Sequence, residues 1–296
     1  MHRILSTLAT FAALCLCMSA SVIADEDDSA AANKEFEQHR AAIADGLKTG
    51  SLADWAGEYG YGDGLGVNVR LSLAPNRGFA YRWTGCLGIY GQNYGTVVHR
   101  EGRLALDFVQ PNKPRSFGDF SRVLVPVPWG NRLYLIGEEQ LAEFVNAVNS
   151  GLEPCAEMCG SFLLRDGDQK VKATGMPTLP ADYSSRLLDK PLYAHVTKII
   201  ERDMTAVDDE YHDRKATVEL DAGLNAGIWE GMEFHATTGD FMTDTFTVVR
   251  VGESSSVASI RSYNDRPLAP ESGLCVSTRF IDDAAKGCKS VPVVRR

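Results

Sequence analysis

The stretch VNVRLSLAPNRGFAYRW, residues 67–83, alternates apolar and polar side chains on both sides of a turn-forming segment. Before and after the turn, the apolar side chains share one face: Val67, Val69, Leu71 and Leu73, then Phe79, Tyr81 and Trp83. A period of two residues is typical of a strand with one buried face. The segment Asn76-Arg77-Gly78 has the composition of a hairpin turn. The stretch therefore predicts an antiparallel β-hairpin.

The same alternation recurs along most of the chain. It is present in GRLALDF at 102–108 and RVLVPVP at 122–128, and again in LYAHVTKIIER at 192–202 and KATVELDAG at 215–223. Gly, Pro and Asn clusters separate these segments, as in an antiparallel meander. The predicted fold class is therefore mainly β with minor helix, a β-rich α+β chain with two antiparallel, meander-like or barrel-like domains.

One segment has a helical period instead. Between residues 138 and 149, the apolar side chains recur at the spacing of one helix face: Leu141, Phe144, Val145 and Val148. Glu138 and Glu139 suit the positive N-terminal end of the helix dipole, and Gly151 follows where a helix stops. We expect one amphipathic helix at about 138–149, packed on a sheet.

Three prolines, at 177, 180 and 191, divide the chain, and the strand pattern restarts beyond them. The expected organisation is a signal peptide at 1–24, an N-terminal helical or flexible segment at 25–53, a first β-domain with a packed helix at 54–180, a linker at 181–190, a second small β-barrel at 191–286 and a C-terminal tail at 287–296.

The N-terminus predicts export. The positive start Met1-His2-Arg3 is followed by an apolar run from residue 4 to residue 22, and Val22-Ile23-Ala24 precedes an acidic segment. This layout is that of a secretory signal peptide. A retained signal anchor is the alternative, but the run is near the lower limit for a span and contains Ser, Thr and Cys. We expect a secreted or periplasmic protein, in a bacterial cell envelope.

The net charge and the absence of recognised motifs argue against several classes of function. The chain has 30 basic and 39 acidic residues, a net charge of −9, and no basic stripe, which argues against nucleic acid as a partner. The glycine-rich GYGDGLGVN at 60–68 does not fit the dinucleotide-binding frame. We therefore expect no cofactor, no metal site and no catalytic residue.

One enzymatic alternative stays open, because glycosidase pairs leave no short motif. It is a hydrolase that uses dispersed carboxylates, such as those of Glu58, Asp63, Glu101 and Asp107.

Five cysteines follow the predicted cleavage site, and an oxidising compartment favours their pairing. Cys155 and Cys159 have one residue too many between them for a thioredoxin-type motif, and no second ligand pair nearby completes a zinc site. We predict a local Cys155–Cys159 disulfide, with a bridge from either one to Cys86 as the alternative. Cys275 and Cys288 are predicted to pair, which leaves the thiol of Cys86.

Two stretches resemble known families. Trp55, Gly57 and Tyr59, which lead into a meander, resemble the start of lipocalin-like barrels over about 54–110. That resemblance implies a small apolar ligand inside, with Phe79, Tyr81 and Trp83 as the cavity wall. An aromatic stripe is also an ordinary core pattern. Tyr90 and Tyr94, in the loop-rich glycine stretch around Cys86, are expected to be exposed and to add a possible contact surface.

The second resemblance covers about 217–280. The glycines at 223, 227 and 231, followed by Met232 and Phe234, resemble small β-barrels of bacterial envelope assembly proteins, of the rod-shape scaffold and flagellar assembly type. Such barrels are adaptors, which implies an envelope protein as partner. The leading expectation is a non-enzymatic binding or assembly protein of unknown partner. The alternatives are a carrier of small apolar molecules and the carboxylate-dependent hydrolase.

A signal peptide ending at Ala24 makes a direct prediction. N-terminal sequencing of the exported protein should begin at Asp25, within a few residues, because signal peptidase cleaves after the small residue at 24. Recovery of the full-length chain with Met1 intact in the cytosol would contradict it.

Overall fold

The computed structural model describes residues 31–49, 53–62, 66–109, 120–154, 162–206, 212–237, 244–264 and 271–279. The chain is mainly β, with two antiparallel sheets that each close into a barrel and with few helices. The predicted fold class is confirmed. The chain divides into two compact units, residues 1–124 and 125–296, which are described separately below.

The first barrel is a meander in which each strand pairs with the next along the chain. Its strands are β1 (Gly57–Gly62), β2 (Val67–Ala74), β3 (Gly78–Gly85), β4 (Gly88–Arg100), β5 (Arg103–Phe108), β6 (Val123–Trp129), β7 (Arg132–Gly137) and β8 (Leu163–Arg165).

In the first unit, the β2–β3 hairpin follows the predicted alternation. Leu71 pairs with Tyr81 and Leu73 with Phe79, and all four side chains are at most 2% exposed. The turn needs its glycine, since Gly78 has φ +81° and a Cβ there would overlap the carbonyl oxygen of Gly95. The hairpin predicted from residues 67–83 is confirmed.

Helix α1, over residues 31–49, covers the outer face of this sheet. Phe36 and Ile43 are fully buried and pack with Ala74 and Ala80. Arg82 secures the helix: its guanidinium lies 4.3 Å from the centre of the Phe36 ring and forms an ion pair of 2.8 Å with a carboxylate on the same helix, that of Glu37. These contacts attach α1 to β3.

The glycine-rich stretch around Cys86 was expected to be loop-rich, and that expectation is wrong. Residues 88–100 form β4, which at thirteen residues is the longest strand described in the first barrel. Two glycines of the stretch serve close packing, because a Cβ at Gly95 would overlap the carbonyl oxygen of Asp107 and one at Gly85, at the end of β3, would overlap the ring of Tyr90. Tyr90 and Tyr94 are half-buried rather than exposed.

The second unit contains the predicted helix. After a 3-10 turn at Glu138–Gln140, α2 spans Leu141–Asn149 and buries Leu141, Phe144 and Val145. The Phe144 ring lies 5.4 Å from that of Tyr134 and 5.2 Å from that of Phe162. The amphipathic helix packed on a sheet is confirmed. A short helix α3, Ala181–Ser184, follows.

The second barrel has the strand order β10-β13-β12-β11-β14-β9. Its strands are β9 (Tyr193–Ala206), β10 (His212–Leu220), β11 (Glu233–Ala236), β12 (Thr245–Val251), β13 (Ser256–Asn264) and β14 (Cys275–Ser277). Alternate residues fill its interior, with Val218, Leu220, Phe234, Phe246 and Val276 at most 1% exposed.

Two polar side chains of α2, those of Asn146 and Asn149, are buried as well. The side-chain amide of Asn146 donates to the carbonyl oxygen of Gly231 (2.8 Å) and accepts from the N–H of Glu233 (3.2 Å). One turn later, Asn149 donates to the carbonyl oxygen of Arg186 (3.0 Å) and accepts from the N–H of Leu188 (2.9 Å). The two amides therefore join α2 to the start of β11 and to the segment before β9.

Replacing one of these amides should destabilise the protein. Asn146→Ala leaves the N–H of Glu233 and the carbonyl of Gly231 without this partner, which costs about 1–3 kcal/mol. Asn131→Ala, the same change at an exposed turn position, is the matched control and should cost less than about 0.5 kcal/mol. Urea unfolding measures both, and equal effects would contradict the role given to Asn146.

Candidate functional site

The five aromatic residues predicted to bind a ligand do not form one site. Phe79 and Tyr81 lie in the interior of the first sheet and are 0% and 2% exposed. The Phe79 ring is 5.0 Å from that of Phe108, and the Tyr81 ring stacks at 4.4 Å on that of Phe120. Because both rings pack against neighbouring aromatic rings, a ligand at this place would have to displace one of them. Ligand binding by this pair stays a prediction.

The other three aromatic residues lie elsewhere. Trp83 and Tyr90 are half-buried near the far end of the β3–β4 hairpin. Tyr94 is on the outer face, where its ring lies 4.7 Å from that of His39 and its hydroxyl 3.1 Å from a carboxylate oxygen of Glu35, both on α1. Tyr94 therefore helps to hold α1 in place.

The dispersed carboxylates are far apart where the structure describes them. Glu58 is on β1, where it accepts a hydrogen bond of 2.6 Å from the Ser72 hydroxyl, and Asp107 is on β5. Three strands separate β1 from β5 in either direction around the closed eight-stranded barrel, so the two carboxylates are on opposite sides of it. Glycosidase pairs need separations of about 5–9.5 Å. Glu101 occupies the β4–β5 turn with φ +51°, and Asp63 lies outside the described residues.

The end of the β3–β4 hairpin is apolar and exposed. The strand ladder continues to the Gly85–Gly88 pair, so only Cys86 and Leu87 form the turn. Leu87 is 89% exposed, Ile89 is 47% exposed, and Cys86 is exposed beside them. Residues 83–98 contain no charged side chain. An exposed large apolar side chain with no charged neighbour on its own hairpin is a feature of contact surfaces.

A second cluster lies where α2 meets β11. Burial raises the pKa of Glu143 on the helix. Burial and then the negative charge of Glu143 raise the pKa of Glu233 on the strand. Burial also lowers the pKa of His235 to about 4, so this imidazole is neutral at pH 7. Shifted pKa values often mark functional groups. Here burial, together with the charge of Glu143 beside Glu233, accounts for the shifts.

His195 belongs to a structural pair. Its Nδ1 lies 3.1 Å from Oδ2 of Asp221, and its backbone N–H donates to the other carboxylate oxygen of Asp221 at 2.6 Å. The Asp221 N–H in turn donates to the carbonyl oxygen of His195 at 3.1 Å. The aspartate thus joins the end of β10 to β9.

The described parts of the chain contain neither a cluster of metal ligands nor a helix suited to crossing a membrane. No group of three or more His, Cys, Asp or Glu residues in them is arranged to hold a metal ion. None of the helices described has the length and apolar character needed to cross a bilayer. Cys155, Cys159 and Cys288 lie outside the described residues, so both disulfides stay predictions; Cys275 is half-buried at the start of β14.

Comparison with known proteins gives no relative. No protein-family model matches the chain, and no curated protein and no solved structure gives a significant match. Two closed barrels are present, but membership of the lipocalin-like family or of the envelope assembly family stays a prediction.

The buried histidine gives a pH prediction. Because the pKa of His235 is about 4 in the fold and about 6.5 when unfolded, the unfolded chain takes up the proton first as the pH falls. This group should therefore cost about 2–3 kcal/mol of stability between pH 7 and pH 4.5. The raised pKa values of Glu143 and Glu233 act in the opposite direction, so the wild type must be compared with a variant.

In His235→Gln, the loss attributed to this group should disappear, and the variant should lose about 2–3 kcal/mol less than the wild type over that pH range. His99→Gln, at an exposed position on β4, is the control. Urea unfolding at the two pH values is the measurement, and parallel losses in wild type and His235→Gln would refute the assignment.

Proposed function

We propose that the chain is a secreted or periplasmic, non-enzymatic binding or assembly protein that contacts its partner through the end of the β3–β4 hairpin. The observation that carries the proposal is the 89% exposure of Leu87 beside Ile89 on a hairpin end without charge. A large aliphatic side chain in water costs free energy that a partner recovers on binding.

The hairpin is held in place behind its end, which favours binding. Arg82 on β3 donates two hydrogen bonds, of 3.1 and 2.9 Å, to the side-chain oxygen of Gln92 on β4. The same guanidinium donates to Asn33 at 3.0 Å and pairs with Glu37, so α1, β3 and β4 are joined at one point. A contact surface on ordered strands loses little conformational entropy when a partner binds.

The two alternatives have less support. A carrier needs space beside Phe79 and Tyr81, whose rings pack against Phe108 and Phe120. A hydrolase needs two carboxylates at catalytic separation, and Glu58 and Asp107 are on strands far apart in the sheet. Export is supported by the pattern of residues 1–24, and the proposal includes the disulfides Cys155–Cys159 and Cys275–Cys288 as features of an exported protein.

Photo-crosslinking tests the contact surface. A benzoyl-phenylalanine residue at position 87 should give a discrete adduct in intact cells that export the protein. The control is the same residue at Val98, which is 45% exposed on β4 but away from the hairpin end. Equal adducts from both positions would contradict the proposal. So would catalytic turnover that disappears in Glu58→Ala or Asp107→Ala.

A further inference from the structure

Resting on the proposed function, we propose that the partner of the hairpin end is the surface of a lipid bilayer, into which Leu87 and Ile89 insert. Both side chains are exposed, and Leu87 lies in the turn while Ile89 is the second residue of β4, so they can enter an apolar phase together.

The absence of charge favours lipid over a protein groove. Protein interfaces have a polar rim that commonly includes charged residues, whereas a charged side chain is costly inside a bilayer. The hairpin has no charged residue between Arg82 and His99. Arg82 itself is bound to Glu37 and Gln92, behind the end of the hairpin.

The backbone of the hairpin limits how deeply its end can insert. The β3–β4 ladder reaches the two-residue turn, through Thr84 with Ile89 and Gly85 with Gly88, and its register shifts between Trp83 and Thr84. On its other edge, β4 pairs with β5 from Gly95 onward, so residues 88–93 lie outside that ladder. An N–H or C=O group that enters lipid without a partner costs several kcal/mol, which restricts insertion to the side chains at the end of the hairpin.

The aromatic residues behind the end match the boundary between lipid and water. Trp83 and Tyr90 are half-buried and lie within a few residues of Leu87. Tyr90 has a large apolar ring with one polar group, the type of side chain that concentrates at the bilayer interface, while the indole nitrogen of Trp83 is buried. The sequence of the hairpin therefore changes from aliphatic at its end to aromatic behind it.

Charge attraction does not contribute, because the chain has a net charge of −9. Insertion of two aliphatic side chains gives reversible binding that depends little on salt, and it requires no anionic lipid. Weak dependence on salt and binding to neutral lipid distinguish this insertion from electrostatic adsorption to an anionic membrane.

Flotation with phosphatidylcholine vesicles tests the inference. The wild-type protein should float with the vesicles to the same extent in 0.1 M and 0.5 M salt. Leu87→Asp and Ile89→Asp should each reduce the bound fraction about tenfold or more, since each removes an apolar anchor and adds a charge. Val98→Asp and Leu224→Asp place the same charge at exposed apolar positions elsewhere and should leave flotation unchanged.

Flotation that is absent in the wild type, or equal in Leu87→Asp and wild type, would overturn the lipid inference. A protein adduct from position 87 without flotation would also overturn it, while the proposed binding function would stand. The absence of both an adduct and flotation would remove both proposals.

Discussion

Two asparagine side chains on α2 hold together the segments on which the second unit depends. Asn146 bonds the residues before and at the start of β11, and Asn149 bonds two residues of the segment that leads into β9. Each amide is more than nine-tenths buried, so its donor and acceptor must both be satisfied. The helix has a second constraint on its other side, where Phe144 packs among Trp129, Tyr134 and Phe162. α2 is therefore fixed on two sides.

The same packing determines the electrostatics nearby. Glu143 precedes Asn146 by three residues on the helix, and Glu233 is one of the two residues that the Asn146 side chain bonds. Burial raises the pKa values of Glu143 and Glu233 and lowers that of His235, and the charge of Glu143 adds to the rise at Glu233. These two causes account for the shifts, and no catalytic role is needed to explain them.

Periodic features could be predicted from the sequence, and contacts distant along the chain could not. The β2–β3 hairpin and α2 have clear apolar periods, which local sterics and burial explain. β4 was missed because Gly85, Gly88, Gly91 and Gly95 suggest a loop, whereas two of these glycines permit close packing against residues on other parts of the sheet. The role of Asn146 was missed because a polar helix face is expected to contact water. Its partners, Gly231 and Glu233, are more than eighty positions away.

At the candidate site, too, one feature could be predicted from the sequence and another required the structure. The absence of charge in residues 83–98 is visible in the sequence, but the exposure of Leu87 at the end of an ordered hairpin is visible only in the structure. The aromatic stripe of Phe79 and Tyr81 is a core feature in the structure, and an alternating pattern alone does not distinguish a core from a cavity wall.

Hydrogen exchange at individual backbone amides tests the central structural claim most directly. The N–H groups of Glu233 and Leu188, which donate to Asn146 and Asn149, should exchange as slowly as the amides of the second barrel's core, such as that of Phe234. Exchange of both at the rate of the exposed turn residue Leu87 would show that the helix is not held to the barrel in this way, and would contradict the account.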